Sequence, residues 1–171
     1  MTDLIPELSF KDIEKGDSNS INILKEALSD HGFFSITNHG LSKDIINSCY
    51  KSSKDFFHLD FETKNTYSSV GSKGARGYTP KGIETAVGEK IADQKEFWHH
   101  GPVVDETYDD KIPKNINIKE VENFNKHFDA LYLELHQIGT RVLKVIALSL
   151  GLDNNYFDHW VEKGNSLLRS I

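Results

Sequence analysis

The stretch from Ile118 to Leu150 constrains this chain more than any other. Val121, Phe124, Phe128, Leu131, Leu135, Ile138, Val142 and Val145 recur at spacings of three and four, the period at which side chains share one face of an α-helix. At about 1.5 Å per residue the predicted helix over 118–150 is roughly 50 Å long. Asn117 stands where an N-cap is expected and Gly151 where such a helix stops. The pattern also fits the heptads of a coiled coil. Phenylalanines in the seam, extra apolar residues at Leu133, Ile146 and Leu148, and Gly139 in the middle favour burial under a larger globular body.

The remaining elements are shorter. After an extended start, "SINILKEALSDHG" places Ile21, Leu24 and Leu28 on one helical face, with Gly32 as the left-handed residue that closes it. "FFSIT" has strand composition and too few residues for a helix. From the N-cap Ser42, the next helix turns Ile45, Cys49, Ser52 and Phe56 to one side. Cys49 is therefore expected to pack inside as an inert thiol. Periodicity is then lost between Ser68 and Pro113, where Gly and Pro punctuate loops, with extended pieces around "RGYTP" and "KEFWHHG". A short helix over "NNYFDHWVEK", capped by Asp153 or Asn154, follows the long one, and "NSLLRSI" ends the chain with strand composition. The expected organisation is one region over 1–171: helix-strand-helix (1–67), a loop-rich segment (68–117), the long and short helices (118–163) and a strand (164–171).

Charge narrows the classes of partner. A net charge of −6 over 171 residues disfavours nucleic acid or an anionic membrane as the main partner. No apolar run approaches the roughly 18 to 20 residues of a membrane span, and "MTDLIPELSF" has neither the basic start nor the apolar block of a signal peptide. A cytoplasmic location is the expectation. With Cys49 as the one cysteine, a disulfide framework or a cysteine zinc site within the chain is excluded.

Eight histidines raise the question of a metal. His-x-Asp supplies two ligands of the facial triad that holds non-haem Fe(II), provided that a strand puts both on one face. His127-Phe128-Asp129 fails because it lies in the predicted helix, where two residues diverge by about 200°. The later His159 and Arg169 imitate a third ligand and an anion-binding arginine, a coincidence if the first pair cannot form. His58-Leu59-Asp60 sits at a helix end, where Asp60 is expected to cap the turn "FETKNTY". His99 and His100 are neighbours in an extended piece and should point to opposite faces. "GSKGARGY" matches no phosphate-loop spacing, although Lys73, Arg76 and Lys81 make it the most basic short stretch, able to draw an anionic small molecule. His39, in "TNHGL", stands where Gly40 permits positive φ and Asn38 can form a turn.

Taken together, "HGFFSITNHGL", "ARGYTPKGIETA" followed by "DQKEFWHHG", "IALSLGL" with "NYF", and "NSLLRSI" resemble, in order and spacing, the isopenicillin N synthase-like non-haem iron oxygenases, most of which use 2-oxoglutarate. The resemblance covers essentially the whole chain. It implies an α+β fold: the helical N-terminal region of a double-stranded β-helix (jelly-roll) oxygenase, with few short strands and most of the barrel absent. It implies Fe(II) and 2-oxoglutarate as cofactors of the complete enzyme, on ligands that follow the segment like "SLLRSI", so that residues 1–171 alone are expected to bind neither and to be inactive. It implies a small-molecule substrate that is hydroxylated, desaturated or cyclised, with Arg76 and Tyr78 on the substrate side. By the same likeness Asn38-His39-Gly40 closes a strand, and His39 is structural. The rival expectation is a non-catalytic relative acting as a helical interaction module through the 118–150 seam.

Overall fold

In the computed structural model, residues 5–68, 75–85, 87–88 and 90–171 are described. They fall into two compact units, one formed by Met1–Leu41 with Leu135–Glu162 and the other by Ser42–Glu134 with Lys163–Ile171.

In the first unit, strand β1 (Glu7–Ser9) pairs in parallel with β2 (Ser35–Thr37), Leu8 lying beside Ile36. Between them come α1 (Phe10–Glu14) and α2 (Ser18–Glu26). The Asp17 carboxylate caps α2 by accepting the Ser20 N–H at 2.8 Å. The helix widens into a π-helical turn, Ala27–His31, and stops at Gly32. With φ of 77°, Gly32 donates its N–H to the Ala27 carbonyl, as the sequence predicts for that glycine. Leu8, Phe10, Ile13, Leu24 and Val145 form the core, with Ile21, Leu28, Ile36 and Val142 against it. Arg141 lies over the Phe10 ring and pairs with Glu14. After β2, Asn38 and Gly40 both take positive φ. His39 Nδ1 accepts the Leu41 N–H at 3.0 Å, so this histidine builds the turn. The helix predicted over "NNYFDHWVEK" shrinks to α6 (Asp158–Val161), with turns before it and no side-chain cap. Asn154, Asn155, Tyr156 and Phe157 are weak helix formers.

In the second unit, Ser42 caps α3 (Lys43–Phe57) as expected, and Asp60 caps α4 (Phe61–Asn65), accepting the Thr63 N–H at 2.9 Å. Three strands form an antiparallel sheet in the order β3 (Gly77–Thr79), β4 (Phe97–His100), β5 (Leu168–Ser170). Tyr78 stands opposite Trp98, and Trp98 opposite Ser170. The closing strand "LRS" thus has a partner, β4, which its composition alone does not reveal. Phe56 is fully buried at the centre of the core. The rings of Phe57, Tyr67, Tyr78 and Trp98 meet it edge-on, and Phe124 lies tilted against it. Cys49, Ile118, Val121 and Phe128 complete the cluster, and burial pushes the Cys49 thiol up to about 12.

The long helix is shorter than its pattern. Helix α5 spans Phe124–Ser149, 26 residues, about 39 Å instead of 50. Ile118 and Val121 are buried as the seam requires but are not helical. Asn123 takes φ of 58°, a left-handed conformation that asparagine tolerates and that interrupts a right-handed helix. Asn125, in place of Asn117, organises this entry. Its side chain accepts the Ile118 N–H at 3.0 Å and donates to the Ile116 carbonyl at 2.8 Å. No helix among the described residues is long and apolar enough to cross a membrane.

Phe56→Ala should lower unfolding stability by about 3–5 kcal/mol in urea titration. Phe61→Ala, at a side chain 55% exposed, should cost less than about 1 kcal/mol.

Candidate functional site

The two faces of β4 carry different chemistry because successive strand residues point to opposite sides. Trp98 and His100 share one face, with Tyr78 of β3 and Ser170 of β5 on the same side by register. Phe97 and His99 share the other, with Thr79 and Arg169. The two histidines accordingly diverge, as expected.

On the first face polar groups are buried in pairs. The Tyr78 hydroxyl donates to Glu96 Oε2 at 2.5 Å, and the Lys64 ammonium donates to the same oxygen at 2.8 Å. Lys64 also reaches the Phe57 carbonyl at 3.1 Å. Burial pushes the Glu96 carboxyl up, but the bonds from Lys64 and Tyr78 outweigh it and leave the group below its ordinary value. Burial, then the Glu96 contact, raises the Tyr78 phenol well above its ordinary value. His100, fully buried, lies 2.7 Å from Asp129 Oδ1 through Nε2. Asn115 fixes the chain beyond it, accepting the Gly101 N–H at 2.7 Å and donating to the Gly101 carbonyl at 2.9 Å. Ser170 and Ser53 hydroxyls are hydrogen-bonded, which ties β5 to α3.

Arg76, just before β3, is 1% exposed. Its guanidinium donates to the Ala75 carbonyl at 2.6 Å and to Asn165 Oδ1 at 2.7 Å. Burial lowers its pKa, yet a guanidinium stays charged at any ordinary pH. Gly101 makes the space for it: a Cβ there would lie 2.1 Å from the guanidinium carbon. Tyr78 is 3% exposed. Of the two candidates named by the sequence, Arg76 therefore lies just before β3 and Tyr78 within it, both with polar ends held by protein. Lys81 is exposed, and Lys73 lies outside the described residues.

On the opposite face Phe97, His99 and Thr79 are buried as well, and Arg169 of β5 is the exposed member. The Arg169 guanidinium lies 4.1 Å from the Phe97 ring centroid and donates Nε–H to His99 Nε2 at 2.6 Å. Its two terminal nitrogens face Glu84 at 3.2 and 3.4 Å. Elsewhere in this unit a cleft of about 620 Å³ is lined by Ser52, Asp55, His58, Glu120 and His127. There Ser52 Oγ and His127 Nδ1 are 2.7 Å apart.

The His-x-Asp pairs are not brought together as ligands. His58 Nδ1 contacts the Lys54 carbonyl while Asp60 caps α4. His127 turns to Ser52 and Asp129 to His100. Among the described residues no three His, Cys, Asp or Glu side chains converge as a metal would require. Glu96, Asn115, Asn165, Glu84 and the Arg169–His99 contact escape sequence reasoning, since their partners lie up to 89 positions away. The alternation in "FWHH" was the available signal for His99.

Residues 5–127 match the family described as non-haem dioxygenase in morphine synthesis, N-terminal. The chain is 28% identical over 155 residues to leucoanthocyanidin dioxygenase of Malus domestica, covering 87% of this chain and 42% of that one. It is 24% identical to gibberellin 20 oxidase 2 of Arabidopsis thaliana, over 96% of this chain and 45% of the other. Among solved structures, a Caulobacter crescentus protein assigned to the 2OG-Fe(II) oxygenase family superposes with TM-score 0.86 and 34% identity, covering 98% of this chain and 55% of that one. A full-length Neurospora crassa protein, solved in complex with alpha-KG, has the same fold at TM-score 0.77 and 24% identity, over 96% and 53% of the two chains. The chain spans about half the length of the relatives it matches.

The Tyr78–Glu96–Lys64 cluster sets two edges of a pH profile. Glu96, with its folded pKa below the ordinary 4.5, contributes stability that is present above pH 4.5 and lost as pH falls through the folded value. Tyr78, with its folded pKa raised, contributes stability that is present below pH 10.0 and declines above it. Urea titrations across pH should show both edges. Tyr78→Phe should flatten the alkaline one, and Glu96→Gln the acid one.

Proposed function

Because the chain belongs to the non-haem dioxygenase family through the N-terminal match over residues 5–127, we propose that it forms the N-terminal part of a Fe(II)/2-oxoglutarate-dependent oxygenase. The proposed substrate is a small molecule, hydroxylated, desaturated or cyclised in a cytoplasmic setting. The family match is the observation that carries this reading, and the superposition on the Caulobacter crescentus protein supports it.

The described residues do not fit an Fe(II) centre, which needs two imidazoles and a carboxylate converging on open positions. His58, His99, His100 and His127 are turned to separate partners, and no three candidate ligands converge among the described residues. This reading therefore assigns the iron and 2-oxoglutarate ligands to the half of the relatives that this chain does not span, and no step through iron is derived from its residues. The contribution proposed for residues 1–171 is positional: packing that keeps water from the sheet, and one reachable charge, Arg169, on its edge strand β5. Arg76 and Tyr78 are proposed to serve the substrate side from behind. Their buried polar ends, on Asn165 and Glu96, fix where β3 runs. The rival role as a helical interaction module is not favoured, since Phe124, Phe128 and Val145 of the seam belong to the two cores and Leu135 is the seam residue left exposed.

A chimera tests the proposal: residues 1–171 joined to the remaining half of the Caulobacter crescentus relative, assayed for Fe(II)-dependent conversion of 2-oxoglutarate to succinate. The folded chimera should turn over 2-oxoglutarate, and residues 1–171 alone should give none. A cooperatively folding chimera without turnover would overturn the oxygenase reading. Turnover by the 171-residue chain alone would overturn the assignment of the ligands.

A further inference from the structure

Arg169 is built differently from the other charged groups around the sheet. Three sides of its guanidinium are defined. The Phe97 ring supports one plane at 4.1 Å, and His99, itself 6% exposed, accepts Nε–H at 2.6 Å. Stacking on an aromatic face and a bond at Nε leave the terminal nitrogens as a fork, the geometry that matches a carboxylate with two parallel bonds. A carboxylate already stands there, that of Glu84, at 3.2 and 3.4 Å.

The strengths of these contacts differ. The bond to His99 is short and its acceptor is buried. Both partners of the Glu84 pair are more than a third exposed, at 36% and 37%, and the distances are long for a charge-assisted bond. Exposed pairs of this kind contribute little net free energy. Glu84 is also shared, with Lys95 3.4 Å away. The arginine is thus held in place by groups that stay, and filled by a group that leaves at small cost. Ile83, next to Glu84, is 65% exposed, so apolar surface adjoins the charged group.

We propose that Arg169, oriented by His99 and Phe97, is the binding site for the carboxylate of a small organic acid with an apolar body, and that Glu84 occupies this fork in its absence. The inference deepens the oxygenase reading by naming a substrate class, and rests on that reading for calling the acid a substrate. The binding itself needs neither iron nor turnover, so the chimera assay can fail while the site stands, and the reverse.

The same chemistry could come from a substrate acid or from 2-oxoglutarate, and the test separates them. The 171-residue chain, labelled with 15N, is titrated with phenylacetate, phenylacetamide and 2-oxoglutarate while the Arg169 Nε–H resonance is followed. That resonance is identified by its loss in Arg169→Lys. Phenylacetate should shift it saturably and phenylacetamide should not. Glu84→Ala should tighten phenylacetate about fivefold, the factor expected when an exposed ion pair no longer competes. Arg169→Gln should abolish the binding. Equal binding of phenylacetamide, or no tightening in Glu84→Ala, would overturn the proposal. A shift with 2-oxoglutarate but none with phenylacetate would overturn the substrate assignment in favour of the co-substrate. Should Arg169→Gln unfold, the Glu84→Ala comparison still decides.

Discussion

Charged and polar side chains that have lost contact with water govern the arrangement around the three-stranded sheet. Lys64, Arg76, His99 and His100 are all buried, and an unpaired buried charge or polar group costs more than a single bond returns. Each must meet its partner, and each partner comes from a distant part of the sequence: Glu96 for Lys64, Asn165 for Arg76, Asp129 for His100, Arg169 for His99. Strands of three and four residues provide few ladder bonds. The polar pairs supply the specificity that such short strands lack: a slip of one residue in β4 would turn His99 and His100 to the wrong faces, and the Lys64–Glu96 and Arg76–Asn165 pairs fix the segments that lead into the strands.

The apolar core places the sheet, and the polar pairs fix its register. Phe56 contacts Tyr78 of β3 and Trp98 of β4 through edge-on rings, an arrangement favoured by the ring quadrupoles. Tyr78 belongs to both systems, its ring in the core and its hydroxyl on Glu96. Gly101 and Gly77 are the backbone counterpart. The former leaves room for the Arg76 guanidinium, and the latter, with φ of 81°, passes so close to the Tyr67 carbonyl that a Cβ would lie 2.4 Å from it.

Local signals in the sequence identified the pieces that depend on local physics. Ser42, Asp60 and Gly32 cap or close helices as their chemistry requires, and the inward face of α3 follows from its period. The alternation of "FWHH" sends His99 and His100 apart. Legibility ends where a long-range partner decides. The apolar period continued through Ile118 and Val121, which are buried without being helical, because Asn123 turns left-handed and Asn125 binds the preceding backbone. Periodicity reports which side chains are inside, and only the backbone bonds decide whether they are inside as helix. For the same reason, "NSLLRSI" could be read as a strand, while its pairing with β4 depended on a segment about seventy positions earlier.

Arg76 and Arg169 show how burial separates two roles that one residue type can hold. Arg76 stands in the more basic stretch of the sequence. Closed in by Gly101 and held by Asn165 and the Ala75 carbonyl, it could reach a ligand only by breaking contacts that nothing nearby replaces. Arg169 stands where the strand alternation turns it away from the aromatic core, and its side chain is about a third exposed. For Arg169 a ligand carboxylate would replace one carboxylate with another, leaving the charge balance and the His99 bond unchanged. The exchange requires only that Glu84 find water instead, which an exposed carboxylate does readily. A fixed charge is useful for recognition when its present partner is cheap to lose, and on this sheet that condition is met at Arg169 and not at Arg76.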